Sequence, residues 1–226
     1  VLVGTQMGFM VESNAQSTTH HLARARLRGM KLTVIDPVCN TAAANADTWI
    51  PIRPGTDAAL ALGIVNQLLN VLKVYDAPFL RKRTNAPYLI GPDGHYVREA
   101  RTGKPLVWNE ETEKPSPYDE CPPERMALQG TYRVGEVDCR PAFVELAEHV
   151  ARYTPEMVAD ITDVPEAQIV SLAKELAADA CIGETITIDG QALPLRPVAI
   201  NFKSGAVGHK HGMAVALSLH LVNIVL

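Results

Sequence analysis

Apolar residues fall into short runs separated by polar, glycine- and proline-rich turns, and the spacing inside each run distinguishes strands from helices. VLVG at residues 1–4 and KLTVID at 31–36 are continuous apolar runs, as expected of strands covered on both faces. TWIPIR at 48–53 is a third strand, and Pro51 assigns it to a sheet edge. TQMGFMVES at 5–13 reads as a loop, followed by a helix over 15–28 that stops at Gly29. TAAANA at 41–46 reads as a short helix. Pro54, Gly55, Thr56 and Asp57 form a turn with the chemistry of a helix N-cap. The helix that follows, 58–72, carries Leu60, Ile64, Leu68 and Leu72 on one face. Strand and helix alternate, which predicts a parallel, doubly wound sheet.

The pattern changes after Asp76. A short helix fits 76–84, and residues 87–137 are rich in Pro, Gly, Glu and Tyr. Short β segments such as PYLIG and KPLVW, with turns such as PDG, make that region a β-hairpin excursion, since an unstructured loop of such length is unusual. Helices return at 141–152, 154–162 and 164–179, the last with Ile169, Leu172 and Leu176 in one stripe. A hairpin at 180–195 turns at Asp189 and Gly190. RPVAINFKSG at 196–205 reads as a buried strand, GAVGHKHG at 205–212 as a loop, and the apolar stretch from Met213 as a core helix. That stretch contains His220 and Asn223 and is shorter than a membrane span.

The expected fold class is α/β: a Rossmann-like doubly wound parallel sheet with a β-hairpin/loop excursion and part of a second α/β domain. The expected segments are 1–86 for nucleotide binding, 87–140 for the excursion and 141–226 for helices returning to a strand and helix of the adjoining domain.

Composition narrows the function classes. The chain has 226 residues, is 47% hydrophobic and 20% charged, and carries a formal net charge of -4. A packed core is affordable, nucleic acid is a poor partner for such a charge, and no apolar run reaches a direct membrane span. Four scattered cysteines, Cys39, Cys121, Cys139 and Cys181, form no C-x-x-C pair and read as free thiols. The chain opens on a strand and closes on an uncapped apolar helix. The expectation is an internal piece of a longer polypeptide, inactive alone, with any signal segment outside it and the compartment, periplasm or cytoplasm, open.

Two aspartates stand out. Asp36 follows the second strand and Asp57 follows the third, where an α/β sheet builds a nucleotide site. Asp36 also fits an ordinary turn, and Asp57 an N-cap. The first strand is not followed by G-x-G-x-x-G, which argues against a generic dinucleotide module.

The motif IDP-x-x-x-x-TA-x-x-AD-x-W-x-PIRPGTDAAL, the opening VGTQM, the helical TPEMVADITDVPEAQIVSLAKELA and the closing NFKSGAVGHKHG resemble the catalytic subunits of molybdopterin oxidoreductases, the dimethyl sulfoxide reductase family. The resemblance implies a bis(molybdopterin guanine dinucleotide) cofactor with Mo or W. It also implies oxygen-atom or hydride transfer on a small-molecule substrate, a 4Fe-4S cluster bound by residues outside this chain, and, as partner, an iron-sulfur electron-transfer subunit. Gly4, Thr5, Gln6 and Met7 match the loop lining one cofactor's phosphates and pterin. Asp36, Pro37, Val38, Cys39 and Asn40 match the guanosine loop, and Gly55, Thr56 and Asp57 the turn over the guanine. Ser204 and Gly208 bound a loop near the pterin. Val38 replaces the family's frequent Arg, and Thr-Gln-Met replaces Ser-Asn-Pro in the first loop.

No catalytic residue and no metal ligand is assigned here, because the family's metal ligand lies upstream of the matched segment. His209 and His211, one residue apart, lack a third ligand; His209 and Lys203 are candidates for the cofactor surround or plain surface residues. His20 and His21 read as surface or interface residues. Two rival classes are a structural or electron-transfer subunit that keeps the fold without a metal centre, and a non-redox hydratase or hydroxyltransferase.

Overall fold

The computed structural model describes residues 1–9 and 15–226; part of the loop expected at 5–13 lies outside the described residues. In chain order the elements are β1 (Leu2–Val3), α1 (Ala15–Leu27), β2 (Thr33–Ile35), α2 (Thr41–Ala44), β3 (Thr48–Ile50) and α3 (Asp57–Asn66). A π-helical segment, Gln67–Leu72, continues α3. Then come α4 (Ala77–Arg83), β4 (Leu89–Ile90), β5 (Leu106–Asn109), β6 (Lys114–Pro117), β7 (Tyr132–Val134), β8 (Val137–Pro141) and α5 (Ala142–Ala151). The chain ends with α6 (Pro155–Thr162), α7 (Glu166–Asp179), β9 (Thr185–Ile188), β10 (Gln191–Pro194), β11 (Asn201–Phe202), α8 (Ser204–Val207) and α9 (Gly212–Val225). They divide into two compact units, Val1–Val74 with Tyr153–Leu226, and Tyr75–Arg152.

The first unit is built on a parallel sheet in the order β11-β1-β2-β3. Leu2 pairs with Val34 on one side and Asn201 on the other. Strand order therefore runs outward from β1 to β3 and reverses between β1 and β11, which leaves a crevice at the carboxyl ends of those two strands. On one face Leu2, Leu32, Val34, Ala42 and Ala43 form a core with Met7, Phe9 and Ala46; Val3 and Ile35 project from the other face by strand alternation. α3 packs against α9, α6 and α7, and Leu60, Ile64 and Leu68 are buried as expected.

The second unit holds a three-stranded sheet, β4-β8-β7, and the hairpin β5-β6. Leu89, Leu106 and Cys139 form its core, and Trp108 stacks on Tyr132 with ring centroids 4.4 Å apart. α4 and α5 lie in this unit, so its limits are wider than the excursion drawn at 87–140.

Several elements differ from expectation. The strand assigned to 196–205 shrinks to Asn201–Phe202, is not buried, and belongs to the first sheet rather than to an adjoining domain. The reason is a side-chain contact from α9: Asn223 captures Ile200, accepting its N–H at 2.7 Å and donating to its carbonyl at 2.9 Å, so Ile200 is unavailable to a ladder. The expected loop 205–212 opens with a helical turn, α8. The helix expected over 58–72 begins at Asp57 and widens to π geometry after Asn66, where Asn66 donates to the Tyr153 carbonyl and accepts from Asn70. An apolar period of four does not distinguish the two helix types. α9 is only half a core helix: Val215, Leu219 and Val222 are buried, while Met213 and Leu217 are exposed. β3 is an edge strand and stops before Pro51, as its sequence requires.

Replacing Asn223 by Leu strips both backbone groups of the buried Ile200 of partners. The expected cost is about 2 kcal/mol or more, measured by chemical denaturation together with faster exchange of the Ile200 amide. An unchanged amide would show that water or another group satisfies it.

Candidate functional site

All four strands of the first sheet are parallel, so the segments leaving them emerge on one edge. After β1 the backbone turns at Gly4, whose φ is +54°. A Cβ on Gly4 would sit 2.5 Å from the Ala206 nitrogen, and a Cβ on Gly205 would overlap the Gly4 carbonyl. The two loops at the crevice thus touch backbone to backbone, and only glycine permits it. Next to this contact Thr5 is buried, and its hydroxyl has no hydrogen-bond partner among the described residues. Gln6 is half-buried and its carbonyl accepts from Phe9, while the Met7 sulfur accepts from Asn201 at 3.4 Å.

The loop after β2 is organised by Asp36. Its carboxylate accepts from the Val38 N–H and from the Asn40 side-chain amide, both at 2.9 Å. Asn40 in turn caps α2 through the Ala43 N–H at 3.0 Å. Pro37, Val38 and Cys39 are exposed between these anchors. Trp49 on β3 donates to the Asp36 carbonyl at 2.9 Å. Sequence reasoning gave Trp49 no role, although its side chain alternates out of an edge strand and so had to find a partner at the surface.

After β3 the Pro-Gly-Thr-Asp turn is pinned from below. The Arg53 guanidinium holds Asp163 in a bidentate pair, with Nε–Oδ2 at 2.8 Å, and the Arg53 N–H donates to the Thr162 carbonyl. This exposed pair contributes little energy, but it fixes the turn against α6. Gly55 has φ +80° and open space where a side chain would lie. Thr56 occupies the N-cap position, yet its hydroxyl donates back to the Arg53 carbonyl at 2.7 Å instead of capping. Asp57 is therefore the first residue of α3 rather than its cap, and it is only 7% exposed.

Asp57 is a buried carboxylate at this edge. Burial pushes its pKa above the ordinary value, opposed by its own backbone N–H and by His209, and assisted by the charge of Asp36. Among the described residues no other side chain donates to it. Asp36 and His209 thus each lie within electrostatic reach of Asp57. Ser204 opens α8, and its carbonyl accepts from the Gly208 N–H at 2.7 Å, which closes the last loop. The loop after β1 meets the Ser204–Gly208 segment, and Asp57 lies within electrostatic reach of Asp36; Gly205 falls inside the segment the resemblance marked, but its backbone contact with Gly4 was not foreseen.

Elsewhere, two cavities of about 440 and 450 Å³ in the second unit share Ile90, Gly94 and Glu145. Arg140 there binds Glu145 and Glu148, and Asn85 donates to the Tyr96 hydroxyl. Among the described residues no three His, Cys, Asp or Glu side chains assemble into a metal site, and no single helix is long and apolar enough to cross a membrane.

A sequence model described as molybdopterin oxidoreductase matches residues 1–216. The chain is 30% identical over 200 residues to the alpha chain of the perchlorate reductase of Dechloromonas aromatica, covering 70% of this chain and 22% of that protein. It is 29% identical over 229 aligned positions to a sulfite dehydrogenase subunit from Allochromatium vinosum, covering 91% of this chain and 24% of that protein. The solved acetylene hydratase from Pelobacter acetylenicus superposes on 99% of this chain and 20% of its own with a TM-score of 0.57, at 21% identity, a likeness of fold alone. The chain thus spans about a fifth to a quarter of the length of these three proteins.

Two outcomes follow from the geometry. Because folding raises the Asp57 pKa, the folded form binds its proton more tightly than the unfolded chain does. Relative to Asp57→Asn, the ligand-free protein should gain stability as pH falls through the raised folded pKa toward 3.8, and gain no more below it. Denaturant titrations across that window measure this; a constant difference would mean that Asp57 is not desolvated. Thr5→Val removes an unpartnered buried hydroxyl and should stabilise the ligand-free protein by about 1 kcal/mol. A loss instead would show that the hydroxyl already has a partner.

Proposed function

The chain belongs to the molybdopterin oxidoreductase family, and on that premise we propose that its parallel sheet holds the guanine-nucleotide end of a bis(molybdopterin guanine dinucleotide) cofactor. The family implies a molybdopterin carrying Mo or W; the dinucleotide form is our reading of this edge. The observation that carries it is Asp57, a buried carboxylate that receives no side-chain hydrogen bond among the described residues. Guanine presents two donors on one edge, N1–H and the exocyclic amine, and a carboxylate accepts both in a charge-assisted pair. The position of Asp57 in the first turn of α3 favours its negative charge. Gly55, with open space beside it, lets a flat base lie against the turn.

The other segments fit the rest of such a ligand. The Thr5 hydroxyl, beside the Gly4–Gly205 contact, offers a donor to a phosphate or pterin oxygen. The Asp36 loop is held in shape by its own hydrogen bonds, so it presents a preformed wall to the nucleoside. Ser204 and Gly208 frame the segment nearest the crevice. When bound, the metal–pterin group would supply oxygen-atom or hydride transfer; this chain's residues bind, orient and shield it. No residue here is assigned as metal ligand or as catalytic acid or base.

At the level of the whole protein the proposal is an oxidoreductase acting on a small-molecule substrate. A 4Fe-4S cluster on residues beyond these and an iron-sulfur electron-transfer subunit complete the electron path. The relatives named as subunits support a partnered assembly.

Asp57→Ala in the full protein should lower cofactor occupancy, since about 1.5–3 kcal/mol of charge-assisted bonding is lost. Occupancy is read as guanine nucleotide released on denaturation and as bound Mo or W per chain. Wild-type values of both in the variant would remove the guanine role from Asp57.

A further inference from the structure

We infer that Asp163 is a positioning residue for the nucleotide turn: its carboxylate acts through Arg53 and Thr56 to set where Asp57 meets its ligand. The inference rests on the guanine reading above and adds to it the source of that turn's rigidity.

The backbone at Asp163 is the first observation. α6 ends on Thr162, and Asp163 after it holds φ +62° and ψ 9°. Glycine enters this left-handed region freely, and a residue with a side chain enters it at a cost. The end of α6 closes without the Asp163 carboxylate. The Asp163 N–H donates to the Ala159 carbonyl at 2.9 Å. The buried Thr162 hydroxyl donates to the Val158 carbonyl at 2.7 Å and accepts the Val164 N–H at 3.2 Å. Both carboxylate oxygens of Asp163 go to Arg53 instead.

Arg53 joins this helix end to the turn. Its Nε donates to Asp163 Oδ2 at 2.8 Å and its Nη2 to Oδ1 at 2.5 Å, a planar fork that neither lysine nor a neutral side chain reproduces. Nη1 adds a bond to the Asp160 carbonyl at 3.3 Å, and the Arg53 N–H donates to the Thr162 carbonyl at 2.9 Å. The Arg53 carbonyl accepts from Thr56 twice, from its hydroxyl at 2.7 Å and from its N–H at 3.3 Å. The Thr56 carbonyl then receives the Ala59 and Leu60 N–H groups at 3.0 and 3.4 Å, which starts α3. Asp57 lies between these two sets of bonds, so the series Asp163, Arg53, Thr56 sets its place.

Stability does not account for the arrangement. The pair is solvent-exposed, and pairs of that kind add little to the folded state. α3 and α6 already meet closely elsewhere, since a Cβ on Gly63 would sit 2.8 Å from a Val158 methyl carbon. What the left-handed aspartate adds is a fixed orientation for the turn.

The two roles predict different outcomes for Asp163→Gly. Glycine suits the left-handed position, so the variant should unfold at the same denaturant concentration as wild type or a higher one. Stripped of cofactor, the full protein carrying it should nevertheless bind guanosine diphosphate about fivefold more weakly by calorimetry. Asp163→Asn tolerates the same backbone and keeps one oxygen for Arg53, so it should fall between. Arg53→Gln should reproduce the loss, and adding Asp163→Gly to it should cost no further affinity. Wild-type affinity in Asp163→Gly overturns the inference, and so does a loss that persists undiminished in the Arg53→Gln background. Amide exchange gives a readout that needs no ligand: in Asp163→Gly the Thr56 N–H should exchange faster while the Val164 N–H, held by Thr162, keeps its rate. An unchanged Thr56 rate overturns the inference equally. If wild type binds no guanosine diphosphate, the guanine reading fails by itself, and the Thr56 exchange then decides whether Asp163 holds the turn.

Discussion

Two backbones meet at the crevice between β1 and β11, and the rest of the site depends on that meeting. Gly4 and Gly205 approach so closely that a methyl group on either would collide with the main chain of the facing loop. Parallel strands at a reversal of strand order diverge in their onward connections. Here the two departing segments instead press together at the start, and this holds α8 against the loop after β1. Beside the contact Thr5 is buried, and its hydroxyl has no partner among the described residues. A buried polar group without a partner is costly in a ligand-free fold, and such a cost is commonly retained where a ligand supplies the missing bond.

The two aspartates divide the work. Asp36 gives its oxygens to its own loop and makes that loop a fixed wall. Asp57 is buried and receives no hydrogen bond from another side chain among the described residues, and its desolvation is the largest influence on its protonation. The Arg53–Asp163 pair and the Thr56 hydroxyl both hold the preceding turn rather than touching the carboxylate. Apart from its own backbone N–H, no local hydrogen bond among the described residues engages the Asp57 carboxylate.

Much of this was legible in the chain. Continuous apolar runs gave β1 and β2, Pro51 placed β3 at the edge, and the Leu60, Ile64 and Leu68 stripe gave α3, because burial period and proline geometry are local properties. What the sequence concealed is pairing at a distance. Nothing in RPVAINFKSG shows that Ile200 is taken by the Asn223 side chain, or that Asn201 lies beside Leu2. The π widening after Asn66 depends on the Tyr153 carbonyl, far along the chain. At the site, the motif marked Asp36 and Asp57 alike; only coordinates distinguish a carboxylate already engaged from one held in reserve. The roles of Gly205 and Trp49 were hidden for the same reason, since each acts through a partner on another strand or loop.

The central claim is that Asp57 accepts the donor edge of a guanine. The most direct measurement compares guanosine diphosphate with inosine diphosphate, which lacks the exocyclic amine, on the full protein stripped of cofactor. The account predicts tighter binding of the guanine nucleotide by about tenfold or more, the worth of one charge-assisted hydrogen bond, and a collapse of that preference in Asp57→Asn. Equal affinity for the two nucleotides in wild type, or a preference that survives in the variant, would contradict it.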